Sequence, residues 1–109
     1  MKPKSAKAKG QRAATELKGI LLKAFPHLEA GDIRVTPSGV NGEDLQLSPR
    51  ARRLLDFHFE VKNVEKLNIW QALCQSKKHG TSKPLLVFKR NRTPFHVAMD
   101  LDTFLDLFK

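Results

Sequence analysis

The sequence predicts an α/β domain, a mixed five-stranded sheet flanked by helices in the order α-β-β-β-α-β-β-α. Three observations predict it. Apolar residues recur at three- and four-residue steps between Gln11 and Leu28, the period of an amphipathic helix. Phe57 to Lys62 alternates apolar and polar residues, the period of a strand buried on one face. Pro84 to Arg90 is a nearly continuous apolar run, as a central strand covered on both faces requires. Helices and strands interleaved in this way form a sheet with helices packed on it.

The chain has 109 residues, the size of one domain with a single layered core. Hydrophobic residues make up 40%, with seven Phe and one Trp among them, enough for a packed interior. The 20 Lys and Arg against 11 Asp and Glu leave a formal charge of +9. So much charge of one sign on a small body repels itself, and a polyanionic partner relieves it. Nucleic acid fits, because its phosphates are dense in negative charge and release their counterions on binding. The single cysteine, Cys74, excludes an internal disulfide framework and fits a reducing compartment, the cytoplasm. The longest apolar stretch, Leu85-Leu86-Val87-Phe88, is far too short for a membrane span. No apolar run of signal-peptide length follows the basic N-terminus. Histidine and cysteine are too scattered for a zinc site.

Along the chain, residues 1–10 carry Lys2, Lys4, Lys7 and Lys9 among Ala, Ser, Pro and Gly. With no apolar periodicity, they read as a flexible basic arm that buries nothing, ahead of a domain spanning 11–109. Ala13, Leu17, Ile20, Leu21, Ala24 and Leu28 then mark a helix of about four turns closed near Pro26, with Glu16 at the margin of the stripe. Ile33 to Thr36 is a strand, ended by Pro37-Ser38-Gly39. After the turn dipeptide Asn41-Gly42, Asp44 opens a second strand that continues through Leu45-Gln46-Leu47. Ser48-Pro49 reads as the N-cap and first residue of a short helix carrying Arg50, Arg52 and Arg53. In the strand that follows, Phe57, Phe59 and Val61 share one face, and His58, Glu60 and Lys62 share the other. A helix from about Asn68 to His79 is expected to bury Ile69, Trp70 and Leu73. Past the Pro84–Arg90 strand, Asn91-Arg92-Thr93 turns into a fifth strand, Phe95 to Met99. Asp100 to Phe108 closes as a helix whose first-turn acids suit its dipole.

The chemistry is concentrated in Asp44 and, fifteen residues later, Phe59-Glu60-Val61-Lys62. Glu60 and Lys62 stand two apart on a strand, so both emerge on one face about 6 to 7 Å apart. Asp44, from the neighbouring strand, can bring a second carboxylate. Two carboxylates suit a hard divalent cation such as Mg²⁺, which binds oxygen and keeps several waters. Such an ion polarises a phosphate and acidifies a bound water. Lys62 beside it can orient or deprotonate that water, or neutralise charge in the transition state. A Glu-x-Lys on a strand is equally the pattern of a solvent-facing ion pair, so the surrounding order of elements carries weight.

That surrounding sequence is Gly42-Glu43-Asp44-Leu45 through Leu47-Ser48-Pro49-Arg50-Ala51-Arg52, then Phe59-Glu60-Val61-Lys62-Asn63, then Leu67-Asn68-Ile69-Trp70 and Gln75. It resembles small phage-type PD-(D/E)XK endonucleases, relatives of the archaeal-type Holliday junction resolvases, from Gln11 to the end. The resemblance implies a restriction-endonuclease-like core and hydrolysis of DNA phosphodiester bonds, in branched DNA of recombination and repair. It implies Mg²⁺ as cofactor, with Mn²⁺ able to substitute. It implies that Asp44 and Glu60 hold the metal with the Val61 carbonyl and a first-helix acid, Glu16. Lys62 becomes the catalytic lysine and Gln75 the glutamine near the attacking water. Where the family has a proline before its first acid, this chain has Gly42-Glu43, so Glu43 stands beside Asp44 as a candidate ligand. Gln71, one turn before Gln75, is the same kind of alternative.

His58 on the catalytic face reads as a spectator or phosphate contact, and Trp70 as a core anchor more than a base-stacking platform. Lys4, Lys7, Lys9, Arg12, Arg50, Arg52, Arg53, Lys77, Lys78, Lys89, Arg90 and Arg92 are the expected DNA contacts, chiefly to phosphate. Leu101, Phe104, Leu105, Leu107 and Phe108 exceed what one face of a short helix buries, which makes a two-fold homodimer an expected assembly. The alternatives are a nicking or site-specific endonuclease of plain duplex, and a non-catalytic DNA-binding module.

Overall fold

The computed structural model describes all residues except 1, 2, 41 and 79–82, and residues 3–6 by their backbone alone. The described elements are α1 (Pro3–Ala24), a 3-10 turn (Ala30–Asp32), β1 (Ile33–Val35), β2 (Leu45–Leu47), α2 (Pro49–Leu54), β3 (Phe57–Asn63), α3 (Ile69–Ser76), β4 (Lys83–Lys89), β5 (His96–Ala98) and α4 (Leu101–Asp106). The result is an α/β domain in the expected element order. Ser48 caps α2 by accepting a hydrogen bond from the Ala51 N–H, with Pro49 at the first helical position, where its missing N–H costs nothing. Asn68 caps α3 in the same way through the Gln71 N–H.

The single five-stranded sheet expected from the sequence is instead two sheets. β1 and β2 form an antiparallel pair, while β3, β4 and β5 form a mixed one in that order. β3 runs parallel to β4 and β5 antiparallel to it. The break has a local cause at Asp44. Its carbonyl accepts from the Thr36 N–H at 3.0 Å, extending the β1–β2 register, while its own N–H donates to the Phe59 carbonyl of β3 at 2.9 Å. In an extended strand both backbone groups of one residue face the same neighbour. At Asp44 they serve opposite neighbours, so the chain bends there and the ladder stops.

The core lies between α1 and one face of both sheets. Ala13, Ala14 and Leu17 meet Ile33, Leu45, Phe59, Val61, Leu85 and Val87, all buried. In the parallel register Phe59 lies opposite Leu85 and Val61 opposite Val87, so the alternation of β3 directs one row of side chains into this layer. On the other face Leu86 is fully buried, and α3 brings its buried Ala72 and Ser76. β4 is therefore covered on both sides, as its apolar run requires.

Several expectations are corrected. The segment read as a flexible arm is helical from Pro3, and Lys9 within it is buried. Ala and Lys are strong helix formers and proline suits a first turn, so a missing apolar stripe did not mean a missing helix. Ile20 is 48% exposed because the buried stripe centres on Ala13, Ala14 and Leu17, with Leu21 partly buried beside them. α3 ends at Ser76, short of His79, which lies outside the described residues. Trp70 is not a core anchor: it is 81% exposed. α3 turns its small residues Ala72 and Ser76 to the sheet, which leaves Trp70 on the outward side at about 100° per residue.

Candidate functional site

The site grows out of the Asp44 bend. Besides the backbone bond to Phe59, Asp44 Oδ2 accepts the Val61 N–H at 2.7 Å. The two bonds straddle Glu60, so the Asp44 carboxylate is tied to β3 beside it. Glu60 Oε1 lies 3.4 Å from Lys62 Nζ. This is the ion pair that the Glu-x-Lys pattern allows, but it does not stand on a solvated face, since the Glu60 side chain is only 12% exposed. The Val61 carbonyl leaves the strand on the same edge as its N–H, the edge that Asp44 occupies.

Asp44, Glu60, Lys62, Gln75 and Lys78 line one open cleft of about 290 Å³ with Val40 and Gly42. A second depression, walled by Lys7, Gly10, Gln11 and Ala14 of α1 and by Thr36 to Val40, opens onto Asp44, Glu60 and Lys62. A third runs from Lys62 past Lys66, Asn68 and Gln71 to Gln75. Lys62 borders all three. Three separated stretches of chain thus deliver carboxylates, a lysine and a carboxamide to one place.

Burial pushes the Asp44 carboxyl above the usual aspartate range. The Val61 N–H, the charges of Lys62 and His58, and the Glu60 side chain pull it down but do not cancel the loss of solvent. A divalent cation between Asp44 and Glu60 would supply the missing positive charge. The donor set suits Mg²⁺, which is held by one or two carboxylates and keeps waters or phosphate oxygens in its remaining positions. Among the described residues no three His, Cys, Asp or Glu side chains gather into a metal-binding group, so the acids available here are these two.

Glu43 has a different role. Its Oε1 takes a hydrogen bond from Arg52 at 2.7 Å and its Oε2 lies 3.6 Å from His58 Nδ1. Arg52 also donates to the Phe57 carbonyl at 2.6 Å, and the Thr36 hydroxyl donates to the Glu43 carbonyl. Glu43, Arg52 and the buried His58 form a clamp under the bend that holds Asp44 forward. Gly42 precedes the clamp with φ 120°, a conformation that glycine takes without strain. Of the two adjacent acids, Asp44 is the one that lines the cleft.

The remaining expected residues divide. Gln75 lines the cleft of the acids, whereas Gln71 lines the neighbouring one beyond Lys62. Glu16 is not there: it is exposed and lies 3.5 Å from Lys89 Nζ. It sits five residues past Gln11, roughly 140° around the helix, so α1 turns Gln11 and Lys7 toward the cleft and Glu16 away. Lys7 and Lys78 line the site, and Arg12, Arg50, Arg53, Arg90 and Arg92 are exposed. Lys9 is buried, Lys89 lies over the Phe95 ring, Arg52 belongs to the clamp, and Lys77 is held by Asp100 at 2.7 Å. These four are engaged within the chain, although the Lys77 side chain remains 49% exposed. The side chain of Lys4 lies outside the described residues.

Gln11 was missed from the sequence. It donates to the Thr36 carbonyl at 3.0 Å and ties α1 to the β1–β2 hairpin, a link that no local pattern signals. Comparison with protein-family models, with curated proteins and with solved structures returns no match for this chain, so the site is read from its own residues.

Proposed function

We propose that the chain is a Mg²⁺-dependent endonuclease that hydrolyses phosphodiester bonds of branched DNA, its two sheets arranged as a restriction-endonuclease-like core. The observation that carries this reading is the meeting of Asp44, Glu60, Lys62 and Gln75 in one cleft on a chain of charge +9. Carboxylates brought up to phosphates repel them unless a cation stands between. A module that only binds DNA has no use for them.

In this reading Asp44 and Glu60 hold the ion together with the Val61 carbonyl. The ion, when bound, polarises the scissile phosphate and acidifies a water. Lys62 orients that water or neutralises the charge that builds on the phosphate, and Gln75 holds the water from the α3 side. Lys7, in the depression beside α1, and Lys78, in the cleft of the acids, grip the backbone. Labelled duplex, nicked, flap and four-way DNA incubated with Mg²⁺ or EDTA test the proposal. Cutting of the branched forms with Mg²⁺ alone is expected. Equal cutting of plain duplex would favour the nicking or site-specific enzyme, and binding without cutting the non-catalytic module.

Lys7→Ala and Lys78→Ala are each expected to lower the slope of log affinity against log salt by about 0.9 on duplex. Titrations between low and moderate salt measure this, and unchanged slopes in both would move the DNA path elsewhere.

A second copy of the chain is the partner proposed for α4. Leu101, Phe104, Leu105, Leu107 and Phe108 are all at least 45% exposed, and β5 beside them is a sheet edge. Asp100, Asp102 and Asp106 make this helix repel phosphate, so its apolar side suits protein. Light scattering at micromolar concentration should show a pair that Phe104→Lys with Phe108→Lys dissolves. A monomer with and without four-way DNA would discard it.

A further inference from the structure

We propose that the cavity at the carboxyl ends of β3 and β4 holds an unpaired nucleobase of the DNA strand that passes Lys62, an inference that rests on the DNA reading above. The cavity measures about 320 Å³, and Val64, Leu67, Ile69, Phe88, Arg90 and His96 are among its walls. It lies where the two parallel strands end, the side on which α/β sheets receive ligands. Strand register fixes its place relative to the acids. Lys62 of β3 is paired with Phe88 of β4, and Phe88 with His96 of β5. Paired residues on neighbouring strands point to the same face. Lys62, Phe88 and His96 therefore form one row across the sheet, on the face that carries Glu60. With strands about 4.8 Å apart, His96 stands about 10 Å across the sheet from Lys62, the reach of about three nucleotides at about 3.4 Å each. The cleft that runs from Lys62 to Gln75 shares Val64 and Leu67 with this cavity, so the two adjoin.

The chemistry of the walls selects the ligand. The Phe88 and His96 rings stack with centroids 5.7 Å apart and planes 29° from parallel, and Val64, Leu67 and Ile69 add aliphatic surface. Such walls suit a flat group with polar edges. Arg90 is exposed at the cavity, where its guanidinium can take the phosphate joined to that group. Its backbone is held in place. The Arg90 N–H donates to the Thr93 hydroxyl at 3.1 Å, the hydroxyl donates back to the Arg90 carbonyl at 3.0 Å, and Glu65 Oε1 accepts the Asn91 N–H at 3.2 Å. Aromatic surface beside a cation is what a single strand needs from a protein. A base inside a duplex has both faces covered by its neighbours, so the cavity can take only a base that has left the stack, as at a flap or a junction. Stacking of this kind tolerates any sequence. The cavity would favour branched DNA over plain duplex without reading bases.

The full chain is titrated in EDTA, which prevents cutting, into a flap that carries the fluorescent base 2-aminopurine at one single-stranded position at a time. A plain duplex with the same base is the control, thymidine monophosphate is the competitor, and anisotropy of labelled DNA follows binding in parallel. The emission should change at one or two positions near the branch and nowhere in the duplex. His96→Ala should weaken flap affinity about tenfold and leave duplex affinity unchanged, and His96→Phe, which keeps a ring, should bind the flap as the wild type does. Arg90→Ala should lower the salt slope of flap binding by about 0.7, the single-strand value. Emission that is the same at every position of a bound flap, or wild-type flap affinity in His96→Ala, would overturn the base site and leave the nuclease reading standing. Equal losses on flap and duplex would overturn it in favour of a duplex contact. Displacement of the flap by micromolar thymidine monophosphate would overturn it in favour of a free nucleotide. Failure of flap and duplex alike to bind would remove the base site and the DNA reading together.

Discussion

Glu60→Gln and Lys62→Ala are each expected to slow cleavage of branched DNA by at least about a hundredfold, the usual scale of a metal-ligand or proton-transfer contribution. The two residues share one strand face 3.4 Å apart, and they would fail differently. Glu60→Gln keeps the shape of the side chain and removes the charge that would hold the proposed cation, so extra Mg²⁺ should recover part of the loss. Lys62→Ala leaves both carboxylates in place, and extra Mg²⁺ should not help. Binding measured in EDTA should survive in both variants, and Glu60→Gln should tighten it by removing a charge that faces phosphate. The double variant should cost little more than either single one, since groups acting as a unit are not additive. Single-turnover cleavage checks all of this, and wild-type rates in either variant would sink the site.

Asp44→Asn should abolish activity and yet raise stability. The Asp44 carboxyl stands above its ordinary value of 3.8 because it is buried, against the pull of the Val61 N–H, Lys62, His58 and Glu60. Folding therefore disfavours the charged form, and at neutral pH the native state carries a charge it would rather not hold. Asparagine keeps an oxygen to accept the Val61 N–H and removes that charge, so Tm should rise by a few degrees at pH 7. The sign fixes the pH course. The destabilisation of the wild type is fully present above the raised folded value. It fades as pH falls through that value toward 3.8, where the two proteins should converge. Added Mg²⁺ should narrow the gap at pH 7 by raising the wild type alone, as a ligand that binds only the native state does. Thermal melts at several pH values, with and without Mg²⁺, decide it. A variant less stable than wild type at pH 7 would contradict the burial argument.

Much of this arrangement can be read from local pattern. The two-residue period of β3 places Phe59 and Val61 in the core and Glu60 and Lys62 together on the other face, and the apolar run of β4 marks the covered strand. What escapes the pattern is set by packing at a distance. The direction in which α1 faces depends on where Thr36 lies, so Gln11 meets the hairpin and Glu16 turns away to Lys89. In α3 the sheet comes close enough to bury only Ala72 and Ser76, and the bulkiest side chain of the helix is left outside. Hydrophobicity alone puts Ile69, Trp70 and Leu73 inside; the space beneath the helix decides otherwise for Trp70. The bend at Asp44 is invisible for the same reason, because a residue that divides its backbone groups between two sheets looks like any other at the head of a strand.

That division bears on the order in which the molecule assembles. The β1–β2 pair closes over residues 36 to 44 with short-range contacts, while β3 and β4 run parallel and must wait for the α3 crossover between them. Asp44 belongs to the first piece by its carbonyl and to the second by its amide. Its carboxylate therefore reaches Glu60 only when the two pieces dock. On refolding, ellipticity should recover first, and affinity for divalent cations should lag behind it. A sequence change that merely delays docking would yield a chain rich in helix and strand in which Asp44 and Glu60 have not yet met to hold the proposed ion.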